Sequence, residues 1–323
     1  MTSSTVHATR NTQHTSFRQI VSTYGVYISL ALLLVAAAVI TPSMYSGNTL
    51  FLILRQASQL GLVAIGQTLV MLVSGLDLSV TGVIVLTSVV IAEVGNGQNS
   101  LILPGVLLSL GLGVLVGLGN GWLVTKRNVP PFVATLGTLV LIRGAQLAYT
   151  KGIPSGQVPP GMGVLSASVG PFPLSFLLWV LITAVLGYIL YATPYGRRIY
   201  ALGSNREAAR LSGVAVEPLL FSAYILCSLL AVLAGIVLTG YVGYVDRYLG
   251  RGFDLDSITA AVVGGTAFTG GRGNLIGTMA GVLLVQFLSS WLLVLGLDVQ
   301  VQLIVKGLVV VAAVALYAGF ARE

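Results

Sequence analysis

From Tyr24 to Ala318 the chain is a succession of apolar runs, each near the length that crosses a bilayer, separated by short polar joints. A helix through the hydrocarbon core needs about 20 mostly apolar residues. In lipid, only helices and closed barrels satisfy every backbone polar group. The runs are Tyr24–Ile40, Leu50–Val73, Ser79–Val94, Leu101–Val124, Pro131–Tyr149, Pro173–Ala192, Leu219–Leu238, Ile258–Thr269, Leu275–Leu295 and Val301–Ala318. They predict an all-α, polytopic bundle of about ten transmembrane helices over residues 24–323, behind a polar segment at 1–23. The eighth run is too short to cross unless Asp254–Ser257 extends it. Hydrophobic residues make up 56% of the 323 and charged residues only 8%, against about 25% charged in soluble domains. A water-solvated surface cannot be built from such a chain. Its 40 glycines suit close helix–helix approach. Met1–Ile20 lacks the apolar centre and cleavage site of a signal peptide, so no cleavable leader is expected.

The charges orient the bundle. With the N-terminus inside, Arg10, Arg18, Lys126, Arg127, Arg197, Arg198, Arg206, Arg210, Arg272 and Arg322 fall on the cytoplasmic side, against Lys151, Arg247 and Arg251 outside. That bias predicts both termini in the cytoplasm and an even number of crossings. It also accounts for the net charge of +7 without a nucleic-acid partner. Gly75-Leu-Asp-Leu-Ser79 before the third run echoes Gly252-Phe-Asp-Leu-Asp256 before the eighth, on the opposite side by this topology. Two inverted halves, a common transporter plan, would produce that relation.

Between the sixth and seventh runs lies a charged island, Gly196–Gly213, inside a loop at 194–216. Ser204 with Glu207 three residues on is a capping-box pattern, and Gly213 suits a helix stop. They predict a helix over Asn205–Ser212. A helix that short is marginal in water, so a soluble cytoplasmic partner is expected to hold it. The candidate docking residues are Ser204, Asn205, Arg206, Glu207, Ala208, Ala209, Arg210 and Leu211. Arg206 and Arg210, four apart, share a face and can meet carboxylates on a partner; the alternative is a solvated face at the headgroups.

Polar residues within the runs are few. Arg55, Arg143 and Lys306 each cost at least ~2.5 kcal/mol at a helix centre, so each should face protein, water or an interface; a lining or gating role is the functional reading, with Arg143 a pathway candidate, and snorkelling is the simpler one, most of all for Arg55. Gln56, Gln59 and Gln67 form an amide stripe on the second helix. Amides donate and accept, which suits a pathway for a hydroxyl-rich solute, but equally suits interhelical bonds. Asp77 is a further pathway candidate, with capping of the third helix as its simpler job; Asp254 and Asp256 suit capping the eighth. Cys227, the one cysteine, reads as a small core residue.

Several classes are excluded. His7 and His14 both lie in the N-terminal segment, and Asp plus Glu total only 9. No buried metal or triad chemistry, and no pump built on membrane carboxylates, is expected. There is no G-x-x-x-x-G-K-[ST] loop, and Gly264–Gly273 lacks the lysine and reads as a tight turn. Catalytic residues, cofactors and metals are therefore not expected in this chain.

Four motifs occur in order: Gly75-Leu-Asp-Leu-Ser-Val80; Pro131-Phe-Val-Ala-Thr-Leu-Gly-Thr138 with Arg143-Gly144; Leu202-Gly-Ser-Asn-Arg-Glu-Ala-Ala-Arg-Leu-Ser-Gly213; and Gly264-Gly-Thr with Gly270-Gly-Arg-Gly273. Together, from about Leu50 onward, they resemble the permease subunits of bacterial sugar-importing ABC transporters, the ribose, xylose, arabinose and galactoside branch. The resemblance implies a type II importer fold in the bacterial inner membrane and a homodimer or paired permeases lining one pathway. It implies ATP-binding subunits beneath, which carry the ATP and Mg, and a periplasmic sugar-binding protein above. Ser204–Gly213 would be the coupling helix seated in the ATPase. The outer loops around Lys151–Pro171 and Tyr241–Ser257 would receive the binding protein, with Tyr244, Asp246, Arg247 and Arg251 as docking candidates. A furanose signal molecule would fit nearly as well as a pentose or hexose. From the residues alone, a self-sufficient secondary carrier stays open as the other class.

Overall fold

A computed structural model describes residues 17–321 except 154, with side chains described at 24–309 and 311. Residues 1–16, with His7, His14 and Arg10, lie outside the described residues, as do Arg322 and the side chain of Arg18. The helices are α1 (Phe17–Ile40), α2 (Gly47–Leu72), α3 (Val80–Gly95), α4 (Ile102–Lys126), α5 (Pro131–Thr150), α6 (Leu174–Ala192), α7 (Pro194–Ser204), α8 (Arg206–Leu211), α9 (Val216–Val242), α10 (Phe253–Val263), α11 (Leu275–Val294) and α12 (Val299–Ala321). One small departure from an all-helical chain is a hairpin pairing Ser168–Val169 with Phe172–Pro173.

Six of these helices are long and apolar enough to cross a membrane: α2, α4 with its preceding turn, α5, α6, α9 and α11. Shorter apolar stretches are Tyr24–Ile40 of α1, α3 itself, and Val299–Val309 of α12, the part of that helix whose side chains are continuously described. The eighth run differs most from its sequence reading. Asp254–Ser257 does join it, but α10 stops at Val263 rather than Thr269. Gly265, at φ +91°, turns the chain left-handed, and Thr266 N–H closes the end on Ala261 O at 2.9 Å. At ~1.5 Å per residue, α10 is about half the depth of a hydrocarbon core.

The centre of the bundle is α2 against α9, with α3, α4, α6, α10 and α11 around them. Apolar burial drives little association within lipid, so close van der Waals packing must do it. Glycines supply that closeness. A Cβ on Gly61 would lie 2.2 Å from the Trp179 ring, which fills the space instead. A Cβ on Gly117 would lie 2.6 Å from Ile225 Cα, so α4 rides directly on the α9 backbone. Gly117→Leu is expected to cost about 1–3 kcal/mol by overpacking and to lower the thermal unfolding midpoint. Gly119→Leu, where a Cβ meets nothing within 4 Å, should leave the midpoint unchanged.

Candidate functional site

The charged island folds as two helices where the sequence reading had one. Pro194 starts α7, and Thr193 caps it by accepting from Gly196 N–H at 3.5 Å. Gly196, Ile199, Leu202 and Gly203 turn into the bundle, while Arg197 and Arg198 stay exposed. The capping assignment needs correction. Ser204 is the last residue of α7 and its hydroxyl donates back to Tyr200 O at 2.9 Å. Asn205, in extended backbone, caps α8 instead, its Oδ1 accepting from Ala208 N–H at 2.9 Å. The helical run through Ser204 leaves Asn205 as the first residue free to adopt cap geometry. At the other end Gly213 N–H reaches Arg210 O and Val214 N–H reaches Ala209 O, each 3.0 Å. That is a Schellman stop. Ala209 is buried, whereas Arg206, Glu207, Ala208, Arg210 and Leu211 are exposed, Leu211 by 80%. Two guanidiniums beside an uncovered leucine make a compact surface suited to a protein partner.

A backbone knot ties this segment to the bundle. Gly203 packs so tightly that a Cβ would fall 1.8 Å from Leu72 O and 2.4 Å from Gly271 N. Gly271 N–H donates to Leu72 O at 3.0 Å. Ser74 Oγ donates to Thr269 O at 2.7 Å and reaches Gly203 O at 3.3 Å. Tyr200 OH donates to Gly273 O at 2.9 Å, and burial raises its pKa, so the phenol stays a neutral donor. The end of α7, the unwound segment 73–79 and the glycine-rich turn 264–273 thus meet at one point.

From that knot a polar chain leads to α5. Asp77 is fully buried, and its Oδ1 accepts from Ser79 N–H at 2.9 Å and Ser79 Oγ at 2.5 Å. Asn120 Nδ2 donates to Ser79 Oγ at 3.0 Å, and Thr138 Oγ1 donates to Asn120 Oδ1 at 2.7 Å. Thr135 Oγ1 reaches Leu76 O at 3.3 Å. Asn120 carries no sequence signal and Thr138 enters only as the end of the Pro131 motif, because a hydrogen bond between separate helices leaves no local pattern.

The amide stripe is spread over different surroundings. The Gln67 amide clasps the Asp77 backbone, donating to its carbonyl at 3.0 Å and accepting from its N–H at 3.3 Å. Gln59 is buried, while Gln56 is half-buried and accepts from Gln286 Nε2 at 2.6 Å. Gln56 thus makes the interhelical bond of the alternative reading, while Gln67 holds the backbone of segment 73–79. Arg55 does not simply snorkel: it donates to Ser166 O at 2.8 Å and lies over the Phe51 and Tyr241 rings. Asp256 pairs with Lys306 at 2.9 Å rather than capping α10, whose N-terminus has no side-chain cap.

Arg143, Arg247 and Arg251 come together on a cavity of about 470 Å³ that also reaches Thr81, Gln146 and Tyr248. The Arg247 and Arg251 guanidiniums lie 4.9 and 5.6 Å from the Tyr248 ring centre. Asp246 Oδ1 accepts from Tyr248 N–H at 2.8 Å and so shapes the turn, while Tyr244 is exposed. Gln146 and the partnerless Thr81 hydroxyl, also missed from sequence, add polar atoms to the cavity.

Comparison with known proteins finds permease relatives over most of the chain. Residues 49–314 match the family model described as "Branched-chain amino acid transport system / permease component". The chain is similar to the ribose import permease protein of Bacillus subtilis (strain 168), 36% identical over 304 residues, 93% of this chain and 94% of the relative. It is similar to the fructose import permease protein of Rhizobium meliloti, 36% identical over 299 residues, 90% and 83% of the two chains. It is also similar to the autoinducer 2 import system permease protein of Photorhabdus laumondii, 36% identical over 277 residues, 85% and 83%. No solved structure matches at a significant level.

Proposed function

We propose, from the premise that this chain belongs to the branched-chain amino acid transport system permease component family, that it is the membrane subunit of an ATP-driven monosaccharide importer. It crosses the bacterial inner membrane about ten times, with both termini in the cytoplasm and its two halves related by inversion. It pairs with a second permease copy or a paralogue. Partner subunits bind and hydrolyse ATP with Mg, and a periplasmic binding protein delivers the sugar.

The observation that carries this reading is the unbroken link from the exposed α8 to α5. ATP-driven closure of the partner pushes α8. Gly203 passes the displacement to Leu72 O and the glycine-rich turn, because backbone in contact with backbone cannot absorb it by a rotamer change. Segment 73–79 moves with them, and the bonds through Asp77, Ser79, Asn120 and Thr138 carry the shift to α5. Much of α5 is unburied, including Gly137, Arg143 and Gly144, and this face lines the pathway. The Arg143, Arg247 and Arg251 cavity forms its outer mouth, where the binding protein docks through the loop bearing Tyr244 and Asp246.

The substrate is a pentose or hexose, in keeping with the ribose and fructose named for two relatives. The autoinducer 2 relative favours a furanose signal molecule as the second reading. Proteoliposomes holding this chain, its ATPase and its binding protein should take up labelled ribose, fructose or the furanose only with ATP inside the ATPase compartment. Uptake by this chain alone, driven by an ion gradient, would overturn the reading in favour of a secondary carrier.

A further inference from the structure

A groove between α6, α7 and α11 lies apart from the arginine cavity and touches the knot only through Tyr200. It has a volume of about 880 Å³ and follows α6 from Val180 to Tyr191. Those eleven steps at ~1.5 Å rise make a trough about 16 Å long. That is close to half of a ~30 Å hydrocarbon core, the depth of a single leaflet. Its opposite wall is Leu275, Ile276 and Met279. Gly187 opens the floor, since a Cβ there would meet nothing within 4 Å.

Three of the polar atoms along the walls are already engaged. Thr183 Oγ1 donates to Trp179 O, Asn274 Oδ1 accepts from Gly277 N–H, and Tyr200 OH donates to Gly273 O. The trough therefore offers little to a polar solute. Its α7 end is different: Arg197 stands there exposed, with no carboxylate partner among the described residues, beside Tyr188 and Tyr191, which are 69% and 90% exposed. Tyrosines at one level with a cation mark a headgroup region. Basic pockets between helices on the cytoplasmic side suit anionic headgroups.

We propose that this groove holds an anionic phospholipid of the cytoplasmic leaflet, an acyl chain along α6 and the headgroup phosphate on Arg197. The proposal rests on the orientation given above, which places α7 in the cytoplasm. Because the walls include α7 and the start of α11, the bound lipid bridges α6 to the segment that bears α8. Its occupancy therefore steadies that segment against the bundle.

The test is native mass spectrometry of the intact transporter, purified from membranes containing phosphatidylglycerol and phosphatidylethanolamine, which counts lipid per permease without any transport assay. Arg197→Gln should reduce retained phosphatidylglycerol about five-fold, the equivalent of ~1 kcal/mol for one basic residue at an anionic surface. Gly187→Phe, whose Cβ meets nothing within 4 Å, puts a ring into the trough and should expel the same lipid while leaving Arg197 in place. Arg198→Gln, one residue away and outside the groove, should retain it. Equal phosphatidylglycerol in wild type and both groove variants overturns the proposal. So does a Gly187→Phe variant that keeps its lipid but loses permease pairing, since the groove would then be an interface between copies. Failure of ATP-driven uptake in reconstitution, with the lipid counts as expected, would strike the importer reading instead.

Discussion

Arg206→Glu combined with Arg210→Glu is expected to abolish ATP-driven uptake and to release the ATPase from the permease during purification. Both guanidiniums are exposed on a helix that the bundle holds firmly by its buried side, at Ala209. Removing one member of a desolvated charge pair at an interface costs about 2–5 kcal/mol, and reversal adds repulsion. Two such changes predict at least a ~100-fold weaker complex. Arg210→Glu puts an anion in the last turn, where the helix dipole disfavours it, so the single Arg206→Glu variant controls for unfolding of α8. A glutamate at position 206 sits in the first turn, where the helix dipole favours it, and the Asn205 cap and Gly213 stop remain untouched. Arg206→Glu alone should therefore weaken ATPase retention while leaving the helix at least as stable. Retention of the ATPase at wild-type level by the double variant would remove α8 from the docking surface. Co-purification on an affinity tag and uptake in proteoliposomes read the two effects separately.

The sequence made the apolar helices legible because membrane length and hydropathy are local signals. Helices occupy all ten predicted runs, and the glycine stop at Gly213 was readable for the same reason. The error at the eighth run came from reading Gly264–Thr269 by its apolar residues, when a left-handed glycine ends the helix first. Two cap-forming residues in succession, Ser204 and Asn205, made the α8 cap ambiguous. Only the length of α7 decides between them, and α7 itself was hidden among polar residues. The site was less legible still. The sequence suggests separate roles for Arg143, in the pathway, and for Arg247 and Arg251, in docking, yet all three face one cavity. Nothing in the spacing of residues on different helices shows that they meet. The same holds for Asn120, Thr138 and the Asp256–Lys306 pair.

Gly203→Ala should separate docking from transport. The added Cβ would press on Leu72 O at 1.8 Å and Gly271 N at 2.4 Å, both backbone atoms. No side chain can swing aside to relieve it, so α7 must move away from segment 73–79 and the glycine-rich turn. Overpacking of this kind costs about 1–3 kcal/mol, which a large bundle tolerates. The displacement also stretches the Gly271–Leu72 bond and the Ser74 hydroxyl bonds that fasten the knot. The outer face of α8 keeps its residues, so the ATPase should still co-purify and hydrolyse ATP. Uptake should fall at least ~10-fold, because the push on α8 no longer reaches Asp77, Asn120 and α5; a loss of that size corresponds to about 1.4 kcal/mol of coupling. Ser74→Ala, which removes the hydroxyl without adding bulk, should give a smaller loss in the same direction. Gly111→Ala, where a Cβ meets nothing within 4 Å, should match wild type. Normal uptake by Gly203→Ala at an unchanged ATPase rate would mean that force enters the bundle by some route other than the contact of α7 with Leu72 and Gly271.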